Sequence, residues 1–193
     1  MNTLVVVAHP LDNSLCAHLA AQTIAHLKRQ GHQVEVKNLY LEAFQPALTQ
    51  TERQSYYQPE FDDSLLAQDI AQLKRAESLV LVFPTWWFGF PAILKGWFDR
   101  VWAPGHAYDH ASDLGAIQPR LQHLKEMKVV TTLGSPWWVD RLVMFRPVRR
   151  ILKTALLGAC AAKCRFSMLS LYQSEKVDKQ RIEAFVKKIC QRF

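Results

Sequence analysis

No G-x-G-x-x-G stands anywhere in this chain of 193 residues, so the fingerprint of a resident dinucleotide on a Rossmann domain is missing. G-x-S-x-G is absent too, which leaves a serine hydrolase of the nucleophile-elbow kind without its nucleophile. The four cysteines (Cys16, Cys160, Cys164, Cys190) form no C-x-x-C pair, and no second Cys or His pair completes a tetrahedral zinc site beside Cys160 and Cys164. The expectation is buried free thiols and no metal. No apolar run approaches the ~20 residues needed to cross a bilayer. The first residues, MNTLVVVAHP, lack a basic n-region and a small-residue cleavage site, so they read as a strand and point to the cytoplasm. Repeats, low-complexity tracts and linkers are missing as well, and the length suits one domain over residues 1–193.

What is present is an ordinary globular balance, 49% apolar and 21% charged, with a formal net charge of +7. That charge suits an anionic ligand, a nucleic acid or an acidic membrane surface. No nucleic-acid motif accompanies it, so a nucleic-acid partner is not expected.

Strand and helix patterns alternate. Thr3–Ala8 is a β-branched run of the kind covered by helices on both faces. Cys16, Leu19, Ala20, Thr23 and Leu27 then repeat with helical spacing up to a stop at Gly31. Gln33–Asn38 alternates as a more exposed strand, and Gln45–Glu60 reads as irregular or a short helix. Leu66, Ile70 and Leu73 mark a helix ending near Ala76. Ser78–Phe83 is a second fully apolar strand. Pro91 opens the next helix, with Leu94, Trp97, Phe98, Val101 and Trp102 along one face. Lys128–Leu133 is a fourth strand, Arg141–Leu157 a basic helix, Arg165–Leu171 a fifth strand, and Ile182–Ile189 a closing helix. Five strands joined by helical crossovers imply an α/β, doubly wound parallel sheet with helices on both faces. The ligand site of such a sheet lies at the carboxyl ends of its strands, where strand order reverses.

Three loops there carry chemistry. After strand one, His9-Pro10-Leu11-Asp12-Asn13-Ser14-Leu15-Cys16 enters a helix whose N-terminal N–H groups suit a phosphate, although Asp12 or Asn13 acting only as a cap accounts for them equally well. After strand three, Pro84-Thr85-Trp86-Trp87-Phe88-Gly89 places three large aromatics at the mouth of the sheet, where a flat aromatic ligand, a packing cluster or a dimer contact would cover them. After strand four comes Thr131-Thr132-Leu133-Gly134-Ser135-Pro136-Trp137-Trp138. All six tryptophans lie in these last two loops or the helix between them, which favours the ligand. Trp97 and Trp102, on a helix face, read as core.

The run Pro84-x-x-Trp87-Phe88-x-x-Pro91-x-x-Leu94-Lys95-x-Trp97-x-Asp99-Arg100-Val101, with the Ala8-His9-Pro10 start and the paired Thr131-Thr132, resembles the flavin-binding segments of the NAD(P)H:quinone oxidoreductases of the DT-diaphorase type. It is also similar to their shorter bacterial relatives, including the ancillary reductases of potassium efflux systems. The likeness covers residues 3 to about 135. It implies a flavodoxin-like fold with strand order 2-1-3-4-5 and FMN or FAD as cofactor. His9, Asn13, Ser14, Leu15 and Cys16 would hold its phosphate. Pro84, Thr85, Trp86, Trp87, Phe88 and Gly89 would carry the ring, with Thr131, Thr132 and Gly134 on its other edge. The implied reaction passes a hydride from NAD(P)H through the flavin to a quinone or similar flat acceptor in a ping-pong order. A flavin-binding ancillary subunit of a membrane transporter is the alternative. Family members are homodimers, and Gly105-His106-Ala107-Tyr108 matches a segment that enters the partner's substrate pocket.

Two departures stand out. Leu133 occupies a family glycine position. Trp137 and Trp138 occur where long diaphorases place a Tyr and a His that assist hydride transfer. The basic run Arg141, Arg146, Arg149, Arg150 and Lys153 has three readings: a seat for the extra phosphate of NADPH, a peripheral contact with an anionic membrane or a membrane-bound partner, or a solvated helix face.

Overall fold

The computed structural model describes residues 1–111 and 115–193. Five strands, β1 (Asn2–Val7), β2 (Gln33–Asn38), β3 (Ser78–Pro84), β6 (Glu126–Leu133) and β7 (Arg165–Tyr172), form one sheet in the order β2-β1-β3-β6-β7, every pair parallel. This is the doubly wound order expected. The long connection between β3 and β6 adds a small antiparallel ribbon, β4 (Tyr108–Asp109) with β5 (Gln118–Pro119).

The central strands bury both faces, which is why Leu4–Val7 and Leu79–Phe83 are apolar without alternation, while the equally buried β6 also carries Glu126, Lys128, Thr131 and Thr132. Val5, Val7, Val80, Val82, Val130 and Leu169 face one layer, made of α1 (Leu15–Arg29) and α7 (Lys179–Arg192). The intervening residues Leu4, Val6, Leu79, Leu81 and Val129 face the other. That second layer holds α3 (Ala67–Arg75), α4 (Ala92–Val101) and a helical run made of α5 (Pro147–Arg150), a π-helical stretch (Ile151–Leu156) and α6 (Leu157–Cys160). Trp97 and Trp102 are buried here as core, in line with the sequence. No helix among the described residues is long and apolar enough to cross a membrane.

Two expectations are corrected. The basic stretch is not one helix over Arg141–Leu157. A π-helical turn (Val139–Val143) ends at Met144, and Phe145 and Arg146 take left-handed φ values of 54° and 53° before α5 begins. Pro147 accounts for the break: its ring disfavours right-handed helix at Arg146 and its missing N–H suits a helix start. The cysteines also divide: Cys16 and Cys160 are buried, whereas Cys164 and Cys190 are only half-buried.

Within Gln45–Glu60 the short helix is α2 (Gln50–Ser55), opened by a capping box in which Thr49 and Glu52 each bond the other's backbone N–H. Glu52 continues inward to the Arg100 guanidinium of α4, the two side chains being almost fully buried (Nε–Oε2 2.9 Å). Arg100 also donates to the Gln45 carbonyl. The same segment packs Pro46 so tightly on α4 that a Cβ at Gly96 would stand 2.1 Å from the Pro46 carbonyl oxygen, so only glycine fits there.

Burial pushes the Glu52 carboxyl up, but hydrogen bonds from Arg100 and Thr49 outweigh it and hold the group below its ordinary value. The pair's contribution is therefore complete above the unfolded value of about 4.3 and drains away as pH falls through the lower folded value. Glu52→Gln should cost about 3 kcal/mol at neutral pH by leaving a buried guanidinium unpaired. Thermal melts from neutral to acid pH should show the difference between wild type and variant shrinking on the acid side.

Candidate functional site

The strand order reverses between β1 and β3, and the loops after β1, β3 and β6 emerge side by side at the carboxyl edge of the sheet. Main-chain bonds tie them at their roots. Ala8 N–H donates to the Val82 carbonyl (3.0 Å) and Thr85 N–H to the Thr132 carbonyl (2.8 Å). The Thr85 and Thr131 hydroxyls share a 2.7 Å hydrogen bond.

In the first loop the cap of α1 is Ser14, not Asp12 or Asn13: its Oγ accepts from Ala17 N–H at 3.1 Å. The first-turn N–H groups of Leu15 and Cys16 precede any intrahelical acceptor and lie at the positive end of a 15-residue helix. Asn13 is exposed beside them. His9 Nδ1 lies 3.0 Å from the Leu11 backbone nitrogen and 3.3 Å from the Leu11 carbonyl oxygen, which fixes the ring against its own loop. Its ring centroid lies 6.3 Å from that of Trp86. Cys16 offers only its backbone, because the thiol is buried in the core and burial pushes its pKa up to about 12.

The second loop is a two-residue reverse turn. Trp86 and Gly89 exchange backbone hydrogen bonds (2.8 and 3.2 Å), while Trp87 and Phe88 both take left-handed φ, 51° and 56°. Such a turn ordinarily carries Asn-Gly. Two bulky aromatics there cost about 1–2 kcal/mol each in backbone strain. The result is an aromatic shelf: Trp86 is 44% exposed and Trp87 100%. Pro84, expected in the loop, is instead the buried last residue of β3.

In the third loop Thr131 is buried beneath Thr85, so its hydroxyl positions the second loop rather than facing outward. Thr132 and Leu133 are buried as well, and Gly134 is exposed. The Glu175 carboxylate lies so close that a Cβ at Gly134 would meet it at 2.9 Å. Ser135 Oγ is buried without a hydrogen-bond partner among the described residues, an unused polar atom inside this cluster. These features fit a flat aromatic group bearing a phosphate: a helix N-terminus with free N–H groups, an exposed aromatic shelf and an unpaired buried hydroxyl.

Sequence reasoning missed Tyr172 and Asp140. Tyr172 ends β7, and its hydroxyl donates to the buried Asp140 carboxylate at 2.8 Å. Burial raises the Tyr172 pKa, and Asp140 raises it further. The Arg141 guanidinium lies 5.8 Å from the ring centres of both Tyr172 and Trp137, so a tyrosine does stand near the third loop, supplied by another strand. Its place at the end of a strand was the available signal. Of the basic run, Arg141, Arg146 and Arg149 border one hollow of about 40 Å³ with Tyr172, while Arg150 and Lys153 are exposed.

Tyr108 keeps different company. Its hydroxyl donates to Tyr56 Oη at 3.3 Å, its ring meets that of His110 edge-on, and it lines a hollow of about 240 Å³ with Phe98 and Trp102. Burial, then the Tyr56 hydrogen bond, raises its pKa far above the ordinary value, so it acts as a neutral hydroxyl and not as a base.

A profile of proteins with a flavodoxin-like fold matches residues 1–193. An uncharacterized NAD(P)H oxidoreductase of Haemophilus influenzae is 32% identical in a match that covers 70% of this chain and 65% of that protein. NAD(P)H dehydrogenase (quinone) 1 of Cavia porcellus is 31% identical in a match that covers 68% of this chain and 53% of the relative. The chain thus spans between about half and two thirds of the length of these curated relatives. Among solved structures, an NAD(P)H:quinone oxidoreductase from Methanothermobacter marburgensis superposes with a TM-score of 0.83 at 26% identity, covering 99% of this chain and 94% of that one.

The strained turn makes a checkable statement on its own. Trp87→Gly should stabilise the ligand-free protein by up to about 1 kcal/mol, or roughly 2–4 °C in Tm for a domain of this size. Calorimetry of the protein stripped of small molecules measures it.

Proposed function

The chain belongs to this family of flavodoxin-like fold proteins, and on that premise we propose that it is a flavin-dependent NAD(P)H oxidoreductase acting on a quinone or similar flat acceptor. One observation carries the reading. The carboxyl edge of the sheet sets a strained, solvent-facing Trp86–Trp87 shelf beside the free N-terminal N–H groups of α1. Exposed aromatic area of this size on a left-handed turn is costly unless a ring covers it. The names borne by the relatives agree with the reading.

In this proposal Leu15 and Cys16 N–H, the Ser14 hydroxyl, Asn13 and His9 Nε2 hold the phosphate of FMN or FAD. Trp86, Trp87 and Phe88 cover the ring, while the Thr85–Thr131 pair fixes the height of the loop that carries them. Thr132, Gly134 and Ser135 bound the opposite edge. The flavin supplies hydride acceptance from NAD(P)H and hydride donation to the second substrate. The chain therefore needs no proton-transferring side chain on the shelf, which accounts for Trp137 and Trp138 standing where a Tyr and a His assist in long diaphorases. A homodimer is part of the proposal: a second copy would cover the hollow bordered by Tyr108, Phe98 and Trp102 and bring Tyr108 to its partner's shelf.

The purified protein should be yellow, or become so on incubation with FMN or FAD, and mass analysis of the released cofactor identifies which. A protein that stays colourless with both would overturn the proposal. Asn13→Ala should weaken flavin binding about tenfold, the loss of one phosphate hydrogen bond, without lowering the Tm of the flavin-free protein. Initial rates with NAD(P)H and a water-soluble quinone should give parallel double-reciprocal lines, whereas intersecting lines exclude the ping-pong order.

A further inference from the structure

The segment between β6 and α5 displays apolar side chains that the fold could have hidden. Leu142 is 63% exposed and Phe145 64%, and Val143 and Met144 between them are exposed as well. The turn is firmly held. Asp140 is buried, takes the Tyr172 hydroxyl on its carboxylate, and takes Arg146 N–H on its backbone carbonyl at 2.8 Å. Met144 N–H reaches the Val139 carbonyl at 2.9 Å, and the left-handed Phe145–Arg146 pair reverses the chain. A hydrogen-bonded turn that holds Phe145 and Arg146 in strained backbone and turns Leu142, Val143, Met144 and Phe145 outward is a built feature.

Its charge is one-sided. From Trp137 to Leu157 the chain carries five cations and one carboxylate, and that carboxylate is the buried Asp140. None of the five cations forms an ion pair among the described residues. Arg141, Arg150 and Lys153 are exposed. Trp137 and Trp138, both exposed, complete the rim.

From these observations we propose that the Trp137–Phe145 turn, with the cationic start of the following helix, is a docking surface for an anionic lipid bilayer. Aliphatic and aromatic groups that enter the headgroup boundary, ringed by unpaired cations, are the chemistry of interfacial binding. A nucleic acid would use the cations and leave Leu142 and Phe145 in water. A second copy of this chain would bring two like-charged patches together about a two-fold axis.

The test is co-sedimentation of the intact protein with vesicles of phosphatidylcholine alone and of phosphatidylcholine mixed with phosphatidylglycerol. Wild type should pellet with the mixed vesicles at low salt, be released at high salt, and stay in solution with phosphatidylcholine alone. Arg150→Glu and Lys153→Glu should each weaken partitioning about fivefold or more. The double variant L142S/F145S should abolish it, with elution volume and NAD(P)H oxidation with a water-soluble quinone unchanged. Wild type left in the supernatant with both vesicles overturns the proposal. So does unimpaired pelleting of L142S/F145S, which would reduce the effect to charge alone, and so does a change in oligomeric state in that variant, which would make the face a contact between copies. A colourless protein that still pellets refutes the flavin reading and leaves docking standing; a yellow, active protein that never pellets does the reverse.

Discussion

The constraint on which the rest depends is the reversal of strand order at β1. Its two neighbours are β2 and β3, so the chain leaves β1 toward one layer of helices and leaves β3 toward the other. The loop that enters α1 and the Trp86–Gly89 turn leave these paired strands side by side, with the His9 and Trp86 ring centroids 6.3 Å apart. Right-handed crossovers can place helices on both faces of a parallel sheet only if the strand order reverses somewhere, as it does here. The candidate site is thus a product of topology, and its residues refine a crevice that the fold opens on its own.

Around that crevice the chain places cost and support in different regions. The shelf carries two left-handed aromatics, and the turn after Val139 carries two more strained residues. Support comes from Val5 and Leu81 at the sheet centre, from Trp97 on α4, and from the Glu52–Arg100 pair that fastens α2 to the same helix. Arg100 lies within the most recognisable stretch of the sequence, yet its partner is a carboxylate from a distant segment. A motif can therefore travel with its support, and its residues need not all serve the ligand.

The architecture was legible because continuous apolar runs such as Leu79–Val82 make sense only when covered on both faces. The carboxyl-edge loops were legible for the same reason: once the order is known, the site has one place to be. Three features were not. The Phe145–Arg146 break hid inside a helical-looking pattern, although Pro147 announced it through the restriction proline places on its predecessor. The Glu52–Arg100 contact joins residues 48 apart, and local pattern carries no information about such pairing; only its first half, the Thr49-x-x-Glu52 capping box, was readable. The inward turn of the Thr131 hydroxyl and the burial of the Cys16 thiol follow from which face of a strand or helix meets the core. That choice is fixed by the packed layers, and it gives the Thr131 hydroxyl a supporting place and leaves Cys16 only its backbone N–H for contact.

The reciprocal bonds between Trp86 and Gly89 also bear on time. A loop that orders itself only around its ligand must search conformations before or during capture, and that search slows association and stores the ordering cost in the binding constant. Here the turn closes on itself through two backbone hydrogen bonds before anything arrives. On the proposed reading, a flat ligand would thus settle on a ledge already closed, without waiting for the loop to fold.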